Sequence, residues 1–336
     1  MVPIKHVVII TKENHTFDNY FGAFPGAIGV KLPPATDPHP DQGHGHDAWL
    51  RDKGAGGATG TAKTQYSAKD IPAYWALAQQ YSLCDNYFTD VASQSEPNHL
   101  FLIAAESPVI DNSSHGRNYQ PQPAFDIPSL PQTLAAAKHT WRNYAESNSS
   151  YFHHIKALQG SPWNVSSAQF DTDLANGFLP EVAWLYAPFG ESEHPGSQTV
   201  HQGAQWTAQR VVNVAKSPLW ASTAIIITWD DWGGWFDHVP SPDQSQWTSA
   251  GPKGYHGSQF RFGPRVPCLI VSPYSRQGIN HHFYSHASVV KFCIRLFGLT
   301  AWNAPALAKS DPSGDLFESF DFAAAPRLAV PTLVPK

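Results

Sequence analysis

Charged residues are scarce in this chain of 336 residues, at 15% of the total, and the net charge is −5. Without a basic patch there is no electrostatic footprint for nucleic acid, so we expect no nucleic-acid partner. The chain also lacks an apolar run of about 18 residues, so stable membrane insertion is not expected. It holds only Cys84, Cys268 and Cys293, without a CxxC pair. That argues against a zinc ribbon or a redox motif and favours buried free thiols over one disulfide.

Several well-known catalytic motifs are missing as well. The chain contains no HExxH, no GxSxG, no Walker loop and no GxGxxG after a strand. These absences weaken the hypotheses of a zinc peptidase, an ordinary serine hydrolase, a P-loop nucleotidase or a dehydrogenase. No signal peptide is visible, so we expect a secreted or periplasmic protein if a leader has been removed, and a cytoplasmic one otherwise.

What the chain does contain is an alternation of apolar strands and helices. Strand-like runs occur at 4–11, 181–188, 222–231 and 266–274, and helical patterns at 71–80, 97–105, 200–220 and 286–299. This order predicts an α/β fold whose central, mostly parallel sheet is covered by helices on both faces. We expect one domain over residues 1–336, in which 25–65 and 146–180 are loop-rich cap insertions. Asp70 is expected to cap the first helix and Pro97 to begin the second.

Polar side chains follow two of these strands at the point where each strand ends. Glu13 and Asn14 end the run "VVIITKEN", and Asp230 and Asp231 end the run "AIIITWDD". Ligands of such sheets bind beyond the carboxyl ends of the strands, and carboxylate and amide oxygens suit a hard cation. The alternatives are a polar helix cap for the first pair and an exposed turn for the second.

A serine and several histidines could supply the remaining chemistry. Ser95 precedes the helix expected from Pro97, where free amide groups favour a phosphate or an oxyanion, although a plain N-cap would explain it too. Histidines that could donate to anionic oxygens or protonate a leaving group are His44, His46, His153, His154 and His194. For each of them a surface or structural role is the alternative.

Taken in order, five stretches resemble the bacterial phosphoesterase family of nonspecific phospholipases C and acid phosphatases, within the alkaline-phosphatase-like superfamily. They read "ENHTFDNYFG", "SQSEPNH", "SEHP", "TWDDWGGWFDHV" and "RVPCLIVSPYSRQG". The resemblance spans nearly the whole chain and implies an alkaline-phosphatase-like core, one divalent metal ion and a phosphoserine intermediate.

The resemblance also implies roles for individual residues. It places Glu13, Asn14, Asp230 and Asp231 at the metal; Ser95, His194, His154 and His46 in catalysis; and Asn14, His153, His44, Asp237 and His238 at the substrate. The oxygen donors favour Ca²⁺, Mg²⁺ or Mn²⁺, and Zn²⁺ only if histidines join them.

Four positions depart from the family pattern. His15 and His99 stand where the family usually has arginine, Ser93 replaces a glycine, and Asp231 replaces the commoner glutamate. Loss of arginine would remove a bidentate phosphate clamp wherever the residue faces the site, and His15 is the position expected to alter substrate choice.

The leading hypothesis is a metal-dependent hydrolase of phosphoric esters, an acid-phosphatase-like enzyme acting on small phosphorylated substrates. The short C-terminal region after residue 322 favours this over a phospholipase C acting on phospholipid head groups, which is the main alternative. A sulfatase is less favoured because His99 breaks the C/S-x-P-x-R maturation pattern that "SEPNH" resembles. A catalytically inactive binding module is the last alternative.

Overall fold

The computed structural model describes residues 2–53, 57–113, 124–146, 150–249, 254–300 and 311–334. Residues 54–56 and 147–149 of the two expected insertions lie outside these ranges. The strands are β1 (His6–Lys12), β2 (Ser82–Cys84), β3 (Tyr87–Phe88), β4 (Trp141–Tyr144), β5 (Asn164–Val165), β6 (Val182–Tyr186), β7 (Thr223–Trp229), β8 (Ser245–Gln246), β9 (Gln259–Arg261), β10 (Cys268–Val271), β11 (Gly278–Asn280) and β12 (Tyr284–Ser285). The helices are α1 (Phe17–Phe21), α2 (His46–Asp52), α3 (Pro72–Gln80), α4 (Ser95–Ala104), α5 (Leu130–Ala136), α6 (Gln169–Ala175), α7 (Val200–Lys216) and α8 (His286–Phe297).

Eight strands form one sheet in the order β11-β2-β10-β7-β1-β6-β4-β5. Strand β10 runs antiparallel to β2 and β7, and every other neighbouring pair is parallel. The expectation of a mostly parallel sheet is therefore confirmed. All seven residues of β7 and the last six of β1 are buried, as in strands covered on both faces.

The helices that cover this sheet fall into two groups. Helix α7 packs against α3 and α6, whereas α4 packs against α5 and α8. The three cysteines are buried free thiols, as the sequence indicated. Among the described residues, no helix has the length and apolar character needed to cross a membrane.

Two local expectations need correction. Asp70 does not cap α3, because its carboxylate instead accepts from the backbone and hydroxyl of Ser67, and the N-cap residue is Ile71. Helix α4 begins at Ser95 rather than at Pro97, so the serine belongs to the first turn. Within the insertion expected to be loop-rich at 25–65, the helix α2 spans His46–Asp52.

Candidate active site

The carboxyl ends of β1 and β7 lie side by side because the two strands pair in parallel along their full length. Lys12 pairs with Trp229 at the last step of this register. The backbone N–H of Asp230 then donates to the carbonyl of Lys12 at 3.0 Å. The polar residues that follow each strand, beginning with Glu13 and Asp230, therefore enter the same space.

A tight contact between the two following loops fixes this arrangement. Asn14 has a positive φ of 82°, and Gly233 has a φ of 57°. A Cβ at Gly233 would lie 2.5 Å from the carbonyl oxygen of Asn14, so only glycine fits there. The N–H of Gly233 donates to Oδ1 of Asp231 at 2.8 Å and thereby orients that carboxylate.

The side-chain amide of Asn14 lies between acids and a histidine. One end is 3.0 Å from Oδ1 of Asp230 and 3.1 Å from Oε2 of Glu13, and the other end is 3.0 Å from Nε2 of His44. With nitrogen towards the acids, the amide donates to both carboxylates. With oxygen towards the acids, it forms with them a set of three hard donors that a cation would hold together.

Ser95 enters the site from the N-terminal end of α4. Its side chain is almost fully buried, and its hydroxyl donates to Oδ2 of Asp231 at 3.1 Å. Asp231, although shorter than the glutamate of the family pattern, thus reaches the serine. A hydroxyl next to a carboxylate acceptor, at a helix end that favours negative charge, has the surroundings of an activated nucleophile.

The cluster concentrates negative charge in a buried place. Burial, and then the neighbouring charge of Asp230, hold the pKa of Asp231 well above its ordinary value. Burial alone would also raise the pKa of Asp230, but the nearby His99 ring and Ser95 hydroxyl outweigh burial and lower it. Oδ2 of Asp230 is buried without a hydrogen-bond partner. Oxygen donors that converge in this way fit a divalent cation, and Glu13, Asp230 and Asp231 would hold it.

Two further histidines contact the cluster, and neither was named as a site residue from sequence. Nε2 of His99, on α4, lies 3.2 Å from Oδ2 of Asp230. His286, at the start of α8, has its Nε2 2.7 Å from the carbonyl of Asp230, and burial lowers its pKa to about 4. The spacing of four residues between Ser95 and His99 places both on one helix face, and this spacing is visible in the sequence. No comparable pattern in the sequence marks His286.

His44 and His194 lie at the edge of the cluster, with ring centroids 6.2 Å apart. Nε2 of His44 is 4.0 Å from Oδ2 of Asp231. Nδ1 of His194 lies 2.8 Å from the carbonyl of Pro195, which leaves Nε2 to face other groups. Burial would lower the pKa of His194, but the charge of Glu13 and the Pro195 carbonyl overcome burial and raise it. His194 therefore retains a proton more readily than an ordinary histidine.

His153 and His154 approach the site from the short 3₁₀ turn Phe152–His154. Nδ1 of His154 lies 2.6 Å from Oε1 of Glu96, the residue after Ser95. The two histidine rings are 4.4 Å apart, and His154 contacts Tyr151, whose ring also contacts His99. This pair therefore flanks the first turn of α4 rather than the carboxylate cluster itself.

Three residues that the resemblance placed in the site lie outside this cluster. His46 is buried, with Nδ1 2.7 Å from the carbonyl of Ala92 and Nε2 2.8 Å from the hydroxyl of Ser258. Both of its ring nitrogens are engaged by contacts within the fold, as is typical of a structural histidine.

Asp237 and His238 belong to a second buried cluster. The guanidinium of Arg265 donates to Asp237 at 3.0 Å and to Asp18 at 3.3 Å, and Nδ1 of His238 lies 2.6 Å from Asp18. Because the carboxylates pair with an arginine that also donates to backbone carbonyls, this cluster ties loops together.

The other departures from the family pattern also lie away from the carboxylates. His15 is buried, stacks on Tyr20 with ring centroids 4.4 Å apart, and has Nδ1 2.7 Å from Oδ1 of Asn19. Ser93 donates to Asp111 at 2.9 Å. His15 therefore does not stand at a position where an arginine would reach the carboxylate cluster, whereas His99 does face that cluster.

Directly beneath the cluster lies a buried ion pair that the sequence did not indicate. Nζ of Lys12 is 3.2 Å from Oε1 of Glu193. Glu193 also accepts from Tyr20 at 2.8 Å, Tyr74 at 2.6 Å and Trp229 at 3.0 Å. Burial lowers the pKa of Lys12 and raises that of Glu193, and each partner's charge opposes this effect. Since Lys12 precedes Glu13 and Glu193 precedes His194, the pair fixes both segments.

Comparison with known proteins identifies the family of this chain. The model of the Phosphoesterase family matches residues 4–44 and 37–300. The chain belongs to the Phosphoesterase family. The matched residues include both strand ends, Ser95 and the histidines at the edge of the site.

Relatives and solved structures extend the comparison. A non-hemolytic phospholipase C of Pseudomonas aeruginosa is 26% identical over 95% of this chain and 57% of its own length. Phospholipase C B of Mycobacterium tuberculosis is 26% identical over 99% of this chain and 80% of its own length. Murine ectonucleotide pyrophosphatase/phosphodiesterase 5 is similar in fold, with a TM-score of 0.51, 10% identity, and coverage of 89% of this chain and 96% of that chain. The chain thus spans less than two thirds of the Pseudomonas relative.

The Lys12–Glu193 pair generates a stability prediction. Lys12→Met should lower the free energy of unfolding by about 3–5 kcal/mol, because it leaves the Glu193 carboxylate buried without its cation. Adding Glu193→Gln should recover part of that loss, since the glutamine oxygen can still accept from the tyrosines while no charge is buried. Urea denaturation of wild type, both single variants and the double variant measures the coupling. Effects that simply add would show that the two charges do not depend on each other.

Proposed function

We propose that this chain hydrolyses phosphoric esters by nucleophilic attack from Ser95. The observation that carries the proposal is the buried hydroxyl of Ser95, 3.1 Å from Asp231, beside the carboxylates that follow β1 and β7. Family membership and relatives named phospholipase C support this class of reaction. A sulfatase or an inactive binding module has no comparable support, because the serine and its acceptor are both in place.

A divalent cation held by Glu13, Asp230 and Asp231, with the oxygen of Asn14 turned towards it, would neutralise the substrate phosphate and ease ionisation of the serine hydroxyl. The carboxylate of Asp231 accepts the proton of Ser95 as Oγ attacks phosphorus. The N-terminal end of α4, which carries partial positive charge, favours the negative charge of the phosphoryl oxygens. The bond between phosphorus and Oγ forms as the bond to the departing alcohol oxygen breaks.

His194 is the residue that we assign to protonate the departing oxygen. Against the effect of burial, the charge of Glu13 raises its pKa, and Nδ1 faces the carbonyl of Pro195, so a protonated ring would donate from Nε2. Water then attacks the phosphoserine and loses a proton to His194, while the bond between phosphorus and Oγ breaks and the serine oxygen takes back the proton held by Asp231. The products are the alcohol and a phosphate, which still carries its head group if the substrate is a diester.

The nucleophile assignment predicts a specific loss of turnover. Ser95→Ala should reduce hydrolysis of p-nitrophenyl phosphate or its diester analogue by at least about 10³-fold, because no residue of the described cluster replaces the serine oxygen. Steady-state kinetics on metal-replete protein measures this, and circular dichroism checks the fold. His282→Gln, at an exposed position, is the control that should retain turnover. Unchanged hydrolysis by Ser95→Ala would overturn the proposed mechanism.

The class of substrate is a separate question. The sequence favours small phosphomonoesters, whereas the relatives' names favour a phosphodiester such as a phospholipid. A panel of phosphomonoesters, phosphodiesters and phosphatidylcholine vesicles should show the highest kcat/KM on diesters. The matched pair p-nitrophenyl phosphate and bis-p-nitrophenyl phosphate, which share a leaving group, isolates the preference. Faster turnover of the monoester would return the assignment to an acid phosphatase.

A further inference from the structure

His99 faces two carboxylates of the site. Its Nε2 is 3.2 Å from Oδ2 of Asp230 and 3.9 Å from Oε1 of Glu13. One donor atom from each of these three residues lies within 4.8 Å of the others. This is the spacing at which one cation can be shared by two carboxylates and an imidazole.

The surroundings of the ring show why a cation is needed there. His99 and Asp230 are completely buried, and neither the ring nitrogens nor Oδ2 of Asp230 has a hydrogen-bond partner. The 3.2 Å contact between them is close but not aligned as a hydrogen bond. Buried polar atoms are normally partnered, so atoms of this kind that face one another indicate a ligand between them.

The ring is also held firmly in this position. It stacks on Tyr186 with centroids 5.5 Å apart and an angle of 29°, and it contacts Tyr151 with centroids 4.8 Å apart. Its backbone belongs to α4, one turn after Ser95. A ligand fixed by a helix and by aromatic packing is preorganised for binding.

We infer that His99 is a ligand of the metal ion and that it changes which metal this chain selects. An arginine at this position, as in the family pattern, is always protonated and cannot coordinate. With His99 the donor set gains a nitrogen beside the carboxylate oxygens of Glu13, Asp230 and Asp231. Such a set favours borderline transition metals such as Zn²⁺ and Co²⁺ over Ca²⁺ and Mg²⁺.

This inference rests on the proposed metal-dependent function and adds to it a ligand and a metal class. The test strips the full chain with a chelator and measures binding of Zn²⁺, Co²⁺ and Ca²⁺ by calorimetry to wild type, His99→Gln and His99→Arg. The visible absorption spectrum of the Co²⁺-loaded protein gives a readout that does not depend on activity. His282→Gln, the same change at an exposed histidine, is the matched control.

Wild type and His282→Gln should bind Zn²⁺ and Co²⁺ at least about tenfold more tightly than Ca²⁺. His99→Gln should lose at least about 10–100-fold in Zn²⁺ and Co²⁺ affinity, since removal of even an outer partner of a ligand costs that much. Its Ca²⁺ affinity should change less, and its Co²⁺ spectrum should shift towards that of oxygen donors alone.

Tighter binding of Ca²⁺ than of Zn²⁺ by wild type would overturn the inference without any variant. An unchanged Zn²⁺ affinity together with an unchanged Co²⁺ spectrum in His99→Gln would also overturn the inference. If His99→Gln fails to fold, the same two measurements on His99→Arg decide the question. These results leave the proposed function standing if Ser95→Ala abolishes turnover. If wild type binds no divalent metal at all, the proposed metal-dependent function fails together with the inference.

Discussion

The parallel register between β1 and β7 is the constraint on which the site depends. It sets Lys12 beside Trp229, so the two chains leave the sheet together and place Glu13 against Asp230. Four carboxylate and amide side chains thereby converge just beyond the ends of two buried strands. A shift of one residue in this register would turn every side chain of one strand to the opposite face of the sheet and separate the two halves of the site.

The same register explains why a buried ion pair lies beneath the cluster. Lys12 and Trp229, paired across the strands, both contact the carboxylate of Glu193. Glu193 holds a positive φ of 76° and is followed by His194. The energy needed to bury two charges is offset by four hydrogen-bonding and ionic contacts to one carboxylate, and the result is a fixed support for residues from β1, β7 and the segment before α7.

The sequence predicted those features that depend on local pattern. Apolar strands that alternate with helices indicated the sheet, and acids at two strand ends indicated a ligand site at that edge, because ligands of such sheets bind beyond the carboxyl ends of the strands. The start of α4 was predicted two residues late, at Pro97 instead of Ser95, since proline is tolerated at any position of a first turn. The N-cap of α3 was predicted one residue early, at Asp70 instead of Ile71. The sequence could not distinguish His46 from His44, but the ring nitrogens of His46 contact Ala92 and Ser258.

The remaining features depend on contacts between residues far apart in the chain, and the two histidines that replace arginine illustrate this. Both looked equivalent in sequence, but His15 stacks among aromatic rings whereas His99 projects towards Asp230. The difference comes from their elements: residue 15 lies in the loop before α1, and residue 99 lies on the face of α4 that also carries Ser95. The position of the substituted residue in its element therefore decides whether its side chain faces the site. At position 99 that face directs an imidazole ring towards the carboxylate of Asp230.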